Sequence, residues 1–368
     1  MADLFHYIDD LGPAKILHLH EGSSGLKGIV VVDNVAAGPA IGGVRMAPDV
    51  SLEECLRLAR AMTLKNGAAG LPHGGGKSVI AADPKLPPAD KERIIRAFAQ
   101  AIRNLVEYIP GPDMGTNEAC MAWVADEIGR SVGLPPELGG IPLDRIGATG
   151  LGLAAAIEAA VPFSGIKAKG ARVAVQGFGS VGKHAARFLV AKGAILVAVA
   201  DTAGMVQAPE GLDVAALIAL KDAGRSVRDH DAGRKGNAEE IVGTECDIWI
   251  PAARPDVLRA DNIDRLRTKL VVQGANIPAT AEAEAAMHRR GILSIPDFIA
   301  NAGGVICAAV EYRGGSEGEA LRTIEDKVRT NTAEVLQLAA TGRTTPRAAA
   351  MELAKRRVVA ASAYRRRF

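Results

Sequence analysis

Hydrophobic and polar positions follow two different periods along this chain. Between residues 26 and 50, short apolar runs are interrupted by glycine, which predicts β-strands. A helix is expected to follow Ser51, because Ser51 and Glu54 form the Ser-x-x-Glu pattern of a capping box. The glycine-rich stretch 67–76 is expected to end that helix, and a second helix is predicted between residues 90 and 110.

From about residue 170 the pattern changes to short apolar runs separated by helical stretches. The predicted strands are 172–176, 195–200, 247–250, 270–273 and 292–295, and the predicted helices are 181–192, 213–223 and 280–290. Short buried strands that alternate with helices are typical of a parallel sheet covered on both faces. After about residue 318 the chain is alanine-rich and predicted to be helical, with a break at 344–346.

Composition limits the classes of function. A length of 368 residues suggests about two domains, and 44 basic side chains nearly balance 42 acidic ones, so no nucleic-acid partner is expected. The terminal run Arg365–Arg367 is interpreted as a solvated helix end. The cysteines lack metal-ligand spacing and are expected to be buried in a reducing compartment; they are Cys55, Cys120, Cys246 and Cys307. Without a signal-peptide pattern or an apolar run near the roughly 18 residues of a membrane span, a cytoplasmic location and no membrane partner are expected.

A glycine fingerprint follows the predicted strand 172–176 and opens a predicted helix. It reads Gly177-Phe178-Gly179-Ser180-Val181-Gly182, the G-x-G-x-x-G of dinucleotide-binding folds. The first glycine would make the tight turn, the second would let the backbone approach a pyrophosphate, and the third would allow close helix–strand packing. A glycine-rich turn without a ligand is the alternative interpretation.

The next predicted strand ends at Asp201, where such folds bind the adenosine ribose. Its carboxylate is expected to accept hydrogen bonds from the ribose hydroxyls and to repel a 2′-phosphate, which favours NAD over NADP.

Two lysines flank the glycine-rich stretch. Lys65 and Lys77 could converge on one cavity, where desolvation and mutual repulsion would lower the pKa of a lysine and make it a usable base. Solvated surface lysines are the alternative. Asp113, in a Gly-Pro-Asp turn, could exchange protons or merely stabilise its own turn.

At this point the chain resembles the glutamate/leucine/phenylalanine/valine dehydrogenase family. The motifs that carry the resemblance are Gly-Pro-Ala-x-Gly-Gly-x-Arg-Met, Lys-Asn, Gly-Gly-Gly-Lys, Gly-Pro-Asp, Ala-Thr-Gly-x-Gly, G-x-G-x-x-G, Gly-Ala-Asn and Asn-Ala-Gly-Gly-Val, in family order. The opening 4–27 looks most like leucine dehydrogenases, and 296–304 looks also like phenylalanine dehydrogenases. Met114-Gly115-Thr116 is similar to glutamate dehydrogenases.

The resemblance implies a role for each matching residue. Lys65 would hold the substrate α-carboxylate beside the backbone of Gly42 and Gly43, Lys77 would be the general base, and Asp113 would exchange protons with the amino group. The residues implied to orient nicotinamide and substrate, or to line the cleft, are Thr149, Asn276, Asn301 and Gly303-Gly304. His73 matches no family role.

The side-chain pocket is expected to be apolar. Relatives that act on glutamate carry a lysine at the place of Ile41 and a serine at the place of Ala308, and both are apolar here. A buried carboxylate without partners would lose roughly 2–5 kcal/mol. Gly111 and Ala308 are small enough to enlarge the pocket, and Val305 would line it with hydrocarbon.

The sequence therefore predicts two α/β domains around a cleft, one of them a Rossmann-type doubly wound sheet. Residues 1–139, completed by C-terminal helices 320–368, would form the substrate and oligomerisation domain, and 140–319 would bind NAD. The predicted activity is reversible, NAD-dependent oxidative deamination of a branched-chain or aromatic L-amino acid to the 2-oxo acid and ammonia, and the family implies a homo-oligomer. A glutamate dehydrogenase and a non-catalytic NAD-binding regulator stay open as alternatives.

Overall fold

Two β-sheets organise residues 5–364, which the computed structural model describes. Each sheet belongs to its own compact unit with its own helices. The first unit comprises the described residues up to Pro142, then Val305–Ala320 and the described residues from Met351; the second comprises Leu143–Gly304 and Leu321–Ala350. The expected fold class, two α/β domains of which one is a Rossmann-type sheet, is confirmed. Arg365–Arg367 lies outside the described residues.

The first unit has a five-stranded sheet in the order β1-β2-β4-β3-β5. Its elements up to residue 128 are β1 (Lys15–Glu21), β2 (Leu26–Asn34), β3 (Ala40–Ala47), α1 (Leu52–Ala68), β4 (Gly74–Ala81), α2 (Pro88–Ala101), β5 (Tyr108–Pro112) and α3 (Glu118–Ile128). Strand β3 runs parallel to both β4 and β5, whereas β2 is antiparallel to β1 and β4. This arrangement aligns the carboxyl ends of three strands.

Alternate residues of β2 pack on opposite faces of this sheet. Val30 and Val32 belong to the core that includes Phe98 of α2, whereas Val31 packs with Cys55 of α1. The period of two in the strand therefore gives a sheet that is covered on both sides. All four cysteines are buried, as expected.

The capping box at the start of α1 is only partly as predicted. The Ser51 hydroxyl accepts a hydrogen bond from the backbone N–H of Glu54 at 3.2 Å, whereas the Glu54 carboxylate pairs with Arg45 instead of the Ser51 backbone.

Three strands of the first unit, β1, β4 and β5, were not predicted. The stretch 67–76 was expected only to end α1, yet its last three glycines begin β4. Glycine usually weakens a strand, but here it permits close packing. A Cβ on Gly75 would lie 2.0 Å from the backbone nitrogen of Thr63 in α1.

The second unit has a seven-stranded sheet in the order β12-β11-β10-β6-β7-β8-β9. Its elements up to residue 300 are α4 (Leu143–Ile146), α5 (Ala148–Ser164), β6 (Arg172–Gln176), α6 (Ser180–Ala191), β7 (Ile195–Asp201), β8 (Gly204–Gln207), α7 (Val214–Asp222), β9 (Arg234–Gly236), β10 (Ile248–Pro251), β11 (Leu270–Val272), α8 (Ala281–Arg289), β12 (Leu293–Ile295) and α9 (Asp297–Ala300). The five predicted strands are confirmed and pair in parallel. Strands β8 and β9 are antiparallel additions that were not predicted.

The C-terminal helices divide differently from the prediction. They are α10 (Gly303–Tyr312), α11 (Glu317–Gly342) and α12 (Pro346–Ser362). Residues 305–319 were assigned to the Rossmann domain but belong to the first unit, where the Glu311 carboxylate accepts hydrogen bonds from the backbone of Leu134 and Ile141. Residues 321–350 were assigned to the first domain but belong to the second unit, where Arg329 pairs with Glu158.

One helical stretch of the described chain, Leu143–Ser164, is long and apolar enough to cross a membrane by length and composition alone. In the structure, 67% of its most apolar window is buried inside the protein, which is typical of a core helix.

Candidate active site

Three adjacent strands of the first unit bring a lysine and an aspartate to either side of a glycine. Lys77 lies on β4 and Asp113 directly follows β5, while Gly43 lies on β3 between these two strands. A Cβ on Gly43 would be 2.7 Å from the Asp113 Cβ and 3.1 Å from the Lys77 Nζ. A Cβ on Gly42 would be only 1.8 Å from the carbonyl oxygen of Gly76. Both glycines are therefore required by the close approach of their neighbours.

The carboxylate of Asp113 joins two cations. Its Oδ2 atom lies 2.8 Å from the Lys77 Nζ and 2.9 Å from the Arg45 Nε. Lys77 is buried, with 5% of its surface exposed, and Arg45 forms a second ion pair with Glu54. The buried Lys77 ammonium is therefore paired with the Asp113 carboxylate, and the Arg45 guanidinium binds the same carboxylate.

Burial lowers the pKa of Lys77, and neighbouring charges lower the pKa of Asp113. Burial lowers the pKa of Lys77 below its ordinary value, and this effect outweighs the opposing attraction of Asp113. Burial alone would raise the pKa of Asp113, but Lys77 and Arg45 outweigh it, so the pKa of this carboxyl is lowered. An ionised aspartate therefore lies beside a lysine that is easier to deprotonate than a solvated one.

The turn that carries Asp113 is held by Thr116. The Thr116 hydroxyl accepts a hydrogen bond from the Asp113 backbone N–H at 3.0 Å and lies 2.8 Å from the Val44 carbonyl oxygen, to which it donates. The sequence left open whether the Asp113 carboxylate stabilises its own turn. The threonine satisfies the turn instead, and the carboxylate meets Lys77 and Arg45.

Lys65 lies in the last turn of α1 and is partly buried. The next residue, Asn66, donates a side-chain hydrogen bond of 2.6 Å to the carbonyl oxygen of Gly74. This contact fixes the end of α1 against the start of the strand that carries Lys77. The convergence of Lys65 and Lys77 on one cavity stays a prediction.

An apolar cluster adjoins Gly43 along β3. Ile41, Ile109, Val132 and Ala308 pack together, each less than 9% exposed. Val305 precedes Ala308 by about one helical turn on α10 and is partly buried. The expected partners Ile41 and Ala308 are therefore brought together. Gly111 does not enlarge this space as predicted, because Val132 already fills the space beside it. A Cβ on Gly111 would lie 3.0 Å from a methyl group of Val132.

Two contributors to the site were not assigned a role from the sequence. Arg45 shares one face of β3 with Ile41 and Gly43, a period of two that would have placed it beside Asp113. The Tyr108 hydroxyl lies 2.9 Å from the Gly42 carbonyl oxygen and 2.8 Å from the Ser78 Oγ. A lone tyrosine in an unpredicted strand carries no sequence signal for such a contact.

His73 is a packing residue in this structure. Its ring makes an edge contact with Tyr312 at 5.7 Å, and its Nδ1 lies 3.1 Å from the Pro39 carbonyl oxygen.

In the second unit, each of the three fingerprint glycines meets a different requirement of a dinucleotide-binding turn. Gly177 has a φ of 96°, and the N–H groups of Gly177 and Phe178 both donate to the Ala200 carbonyl oxygen. A Cβ on Gly182 would lie 2.0 Å from the Gly177 carbonyl oxygen, whereas a Cβ on Gly179 would meet nothing within 4 Å. Gly179 therefore leaves open backbone for a ligand, and Gly182 allows tight packing.

Basic and acidic side chains line the space at the start of α6. Gly179 is the N-cap and no side chain caps the helix, so its first N–H groups are available to a ligand. A cavity of about 570 Å³ lies here, lined by Arg145, Lys183, Arg187 and Lys221 and by Asp144 and Asp222. Lys183 pairs with Asp222, and Lys221 pairs with Asp201. Open glycine backbone at a helix start, with Arg145 and Arg187 in the same cavity, fits the pyrophosphate of a dinucleotide. Ser180 and Val181 lie in the first turn of this helix.

Asp201 is already occupied by protein donors. Its Oδ1 accepts hydrogen bonds from Ala203 N–H and Ser226 Oγ, and its Oδ2 from Lys221 Nζ and Val227 N–H, at 2.8–3.0 Å. A carboxylate has about four acceptor positions, so all are filled. The expected hydrogen bond to a ribose hydroxyl is therefore not supported, because Asp201 fixes its own loops and its charge is balanced by Lys221.

Three amide or hydroxyl residues named by the resemblance lie elsewhere in the second unit. Asn301 is buried and its Nδ2 donates to the Oδ1 of Asn276 at 2.9 Å. Thr149 lies in the first turn of α5, and a Cβ on Gly304 would be 3.6 Å from its hydroxyl oxygen. The structure therefore groups Asn276 with Asn301, and Thr149 with the Gly303-Gly304 pair.

Comparison with known proteins decides the family. The family model "Glutamate/Leucine/Phenylalanine/Valine dehydrogenase" matches residues 139–366, and the model of its dimerisation domain, "Glu/Leu/Phe/Val dehydrogenase, dimerisation domain", matches residues 16–130. The chain belongs to this family. The resemblance found in the sequence motifs is thereby confirmed, and the chain is an amino acid dehydrogenase.

Individual members of the dehydrogenase family cover nearly the whole chain. The NADP-specific glutamate dehydrogenase of Saccharolobus shibatae is 41% identical over 80% of this chain and 72% of its own length. The catabolic NAD-specific glutamate dehydrogenase of Bacillus subtilis is 35% identical over 90% of this chain and 82% of its own.

Solved structures agree in fold. The hetero-hexameric glutamate dehydrogenase of Thermus thermophilus, in its Leu-bound form, has a TM-score of 0.85 and 33% identity, covering 97% of this chain and 91% of that one. The L-tryptophan dehydrogenase of Nostoc punctiforme has a TM-score of 0.76 and 26% identity, covering 96% and 97%. The expected nearness to leucine and phenylalanine dehydrogenases is not what these comparisons return, since most of these relatives are named glutamate dehydrogenases.

Proposed function

We propose that this dehydrogenase oxidatively deaminates an L-amino acid, reversibly, to the 2-oxo acid and ammonia with a nicotinamide dinucleotide. The observation that carries the proposal is the buried Lys77–Asp113–Arg45 cluster beside the glycines of β3. A regulator that only bound the dinucleotide would have no use for a desolvated lysine beside an ionised aspartate.

The cluster supplies acid–base chemistry. A bound nicotinamide would supply the hydride acceptor for the substrate α-carbon. In this proposal ionised Asp113 first takes a proton from the substrate ammonium group, so that the amine is neutral when the hydride leaves. Neutral Lys77 then takes the proton from the water that adds to the imino acid. Asp113 returns its proton to the amino group of the carbinolamine and takes the hydroxyl proton as ammonia leaves. Lys65 holds the α-carboxylate beside the backbone of Gly42 and Gly43, as the resemblance implies.

We infer that the cofactor is NAD and that NADP is not strictly rejected. The relatives include both an NAD-specific and an NADP-specific enzyme. Asp201 presents no unoccupied acceptor to a ribose, and Lys221 lies at 2.8 Å from it, so repulsion of a 2′-phosphate is weakened. Rates with both dinucleotides test this inference, and a preference above about 1,000-fold for either would contradict it.

For the substrate side chain we propose an apolar group. Support comes from Ile41, Ile109, Val132 and Ala308, a cluster that offers no partner to a second carboxylate. An acidic side chain placed here would lose roughly 2–5 kcal/mol, a factor of about 30 to several thousand.

Glutamate is the second candidate substrate. The specific observation in its favour is that the relatives at 35–41% identity are named glutamate dehydrogenases. A panel of L-amino acids with NAD⁺ and NADP⁺, followed by the absorbance of the reduced nicotinamide, distinguishes the candidates. Highest kcat/KM for leucine, valine or phenylalanine supports the apolar proposal, and highest kcat/KM for glutamate contradicts it. No turnover with any amino acid would overturn the enzymatic proposal and favour a regulator.

We also propose a homo-oligomer in the cytoplasm. The oligomer is supported by the match of residues 16–130 to a dimerisation domain. Light scattering of the purified chain tests it, and a monomer at micromolar concentration would contradict it. Fractionation of the source cells tests the location.

A further inference from the structure

A strained residue lies beside Asn276 in the second unit. Ile277 has a φ of 48°, the left-handed region that β-branched residues avoid because their Cβ crowds the backbone. Its side chain is half-exposed, so burial of the isoleucine does not account for the conformation. Something else must hold the backbone at this point.

Both backbone groups of Ile277 are held by hydrogen bonds. Its N–H donates to the Oδ2 of Asp297 at 2.8 Å, and its carbonyl oxygen accepts from the N–H of Asp256 at 3.0 Å. Asp297 is buried, with 6% of its surface exposed. A buried charged acceptor makes a strong, directional bond, so Asp297 is the principal restraint on Ile277.

Arg347 holds Asp297 in turn. Its Nη2 donates to the other carboxylate oxygen, Oδ1, at 3.0 Å and to the Gln273 Oε1 at 3.0 Å, while its Nε donates to Glu284 at 2.6 Å. Gln273 is fully buried at the end of β11, directly before the loop that contains Asn276. The guanidinium thus joins the strand end to the carboxylate that restrains the loop.

Asp297 also reaches Asn276 by a second route. Its carbonyl oxygen accepts a hydrogen bond of 2.7 Å from the backbone N–H of Asn301, whose side chain then donates to Asn276. In the described part of the chain the buried Oδ1 of Asn301 has no hydrogen-bond partner. A buried acceptor without a partner is costly and indicates a ligand group that completes the pair.

We propose that Asp297 and Arg347 are positioning residues, which hold Asn276 and Asn301 in the geometry that binds the dinucleotide. Neither touches the ligand in this proposal. Asp297 keeps Ile277 in its left-handed conformation, and that conformation directs the preceding Asn276 toward Asn301. The identity of the ligand rests on the proposed function, whereas the restraint on Ile277 does not.

Rescue by glycine tests the restraint, because glycine adopts a positive φ without help. Asp297→Ala is expected to weaken NAD binding at least tenfold, measured by calorimetric titration of the full chain, and to raise KM for NAD more than it lowers kcat. Adding Ile277→Gly should recover most of the affinity, whereas the matched control Ile277→Ala should not. Arg347→Lys should lose less affinity than Arg347→Met.

Hydrogen–deuterium exchange without dinucleotide tests the restraint on Ile277 separately from the proposed function. In Asp297→Ala the Ile277 amide should exchange with deuterium at least tenfold faster than in the wild type. If Asp297→Ala fails to fold, the same comparisons are made with Asp297→Asn. Unchanged NAD affinity and exchange in a folded variant, or equal rescue by alanine and glycine, would overturn the inference. Wild-type protein that binds no NAD would instead overturn the proposed function and leave the exchange result to stand.

Discussion

At the scale of single residues, the decisive feature is one carboxylate oxygen that serves two cations. Asp113 Oδ2 meets both Lys77 and Arg45, and Asp113 and Arg45 act on the pKa of Lys77 in opposite directions. Asp113 raises it by attraction, and Arg45 lowers it by repulsion, after burial has lowered it most. The pH dependence of the reaction should therefore report on this geometry.

Arg45→Gln and Asp113→Asn should move the pH profile of kcat/KM in opposite directions. The base form of Lys77 is present above its pKa, so oxidation rises with pH through that value. Removing Arg45 raises the pKa and shifts the rising limb to higher pH; removing the charge of Asp113 lowers the pKa and shifts the limb to lower pH, with slower turnover. Initial rates across the pH range measure both shifts. If the rising limb moved in the same direction in both variants, the assignment of Lys77 as the base would be contradicted.

Lys77→Ala and Lys65→Ala should separate catalysis from substrate binding. Loss of the general base should lower kcat by about 100- to 10,000-fold with NAD affinity unchanged, because the dinucleotide fingerprint lies in the second unit. Loss of Lys65 should instead raise KM for the amino acid, by roughly 10- to 100-fold if one charge-assisted contact is removed. Steady-state kinetics and NAD titration of both variants measure this, and wild-type kcat in Lys77→Ala would refute the mechanism.

Gly43→Ala should remove activity without unfolding the protein. The added methyl would lie 2.7 Å from the Asp113 Cβ and 3.1 Å from the Lys77 Nζ, so the pair must separate. We expect kcat/KM to fall at least about 100-fold while NAD affinity is kept. Gly22→Ala is the matched control, because a Cβ there meets nothing within 4 Å. Equal activity of the two variants would show that the spacing of Lys77 and Asp113 is not required.

The residues show where sequence reasoning succeeds and where it stops. The dinucleotide glycines were predictable because their roles follow from the backbone of one local turn. The partners of Asp201 were not, since Lys221 and Ser226 are brought to it by the tertiary fold. Arg45 lay within a recognised motif, but its role required the neighbouring strands.

At the scale of elements, the proposed side-chain pocket is formed by a strand and a distant helix. Strand β3 supplies Ile41 and helix α10 supplies Ala308 to one cluster. Periodicity predicted β3 and most Rossmann strands, because their apolar runs are short and bounded by turn residues. It missed β1, β4 and β5. Glycine and proline dominate β4 and β5, so packing decides there rather than propensity.

Ile41→Lys combined with Ala308→Ser should shift the side-chain preference. The double variant places an ammonium and a hydroxyl in the apolar cluster, where a second carboxylate would find charge-assisted hydrogen bonds worth roughly 1.5–3 kcal/mol. The ratio of kcat/KM for glutamate over leucine should rise at least about tenfold, partly through loss for leucine. Each single variant is measured beside the double, since the positions are in contact. A flat ratio in a folded protein that still binds NAD would show that this cluster does not receive the substrate side chain.

At the scale of the whole molecule, the sequence predicted two α/β units and the boundary near residue 140, but not how the C-terminal helices are shared. The unit boundaries fall within α10, α11 and α12, after Gly304, Ala320 and Ala350. Because these boundaries fall inside helices, no loop in the sequence marks them. Only tertiary contacts reveal it.

This interleaving has a consequence for synthesis on the ribosome. The sheet that carries Lys77 emerges first, but Ala308 and the Glu311 carboxylate that holds the loops at Leu134 and Ile141 follow only after the whole second sheet has been made. Ala354 and Val358, which pack against Gly67 at the end of α1, follow later still. The nascent first unit must therefore wait, incomplete and with apolar surface uncovered, until these segments have been made. For the same reason, a gene cut at one point between the units cannot encode an intact first unit. That unit consists of three separate segments, which would have to be joined directly to one another.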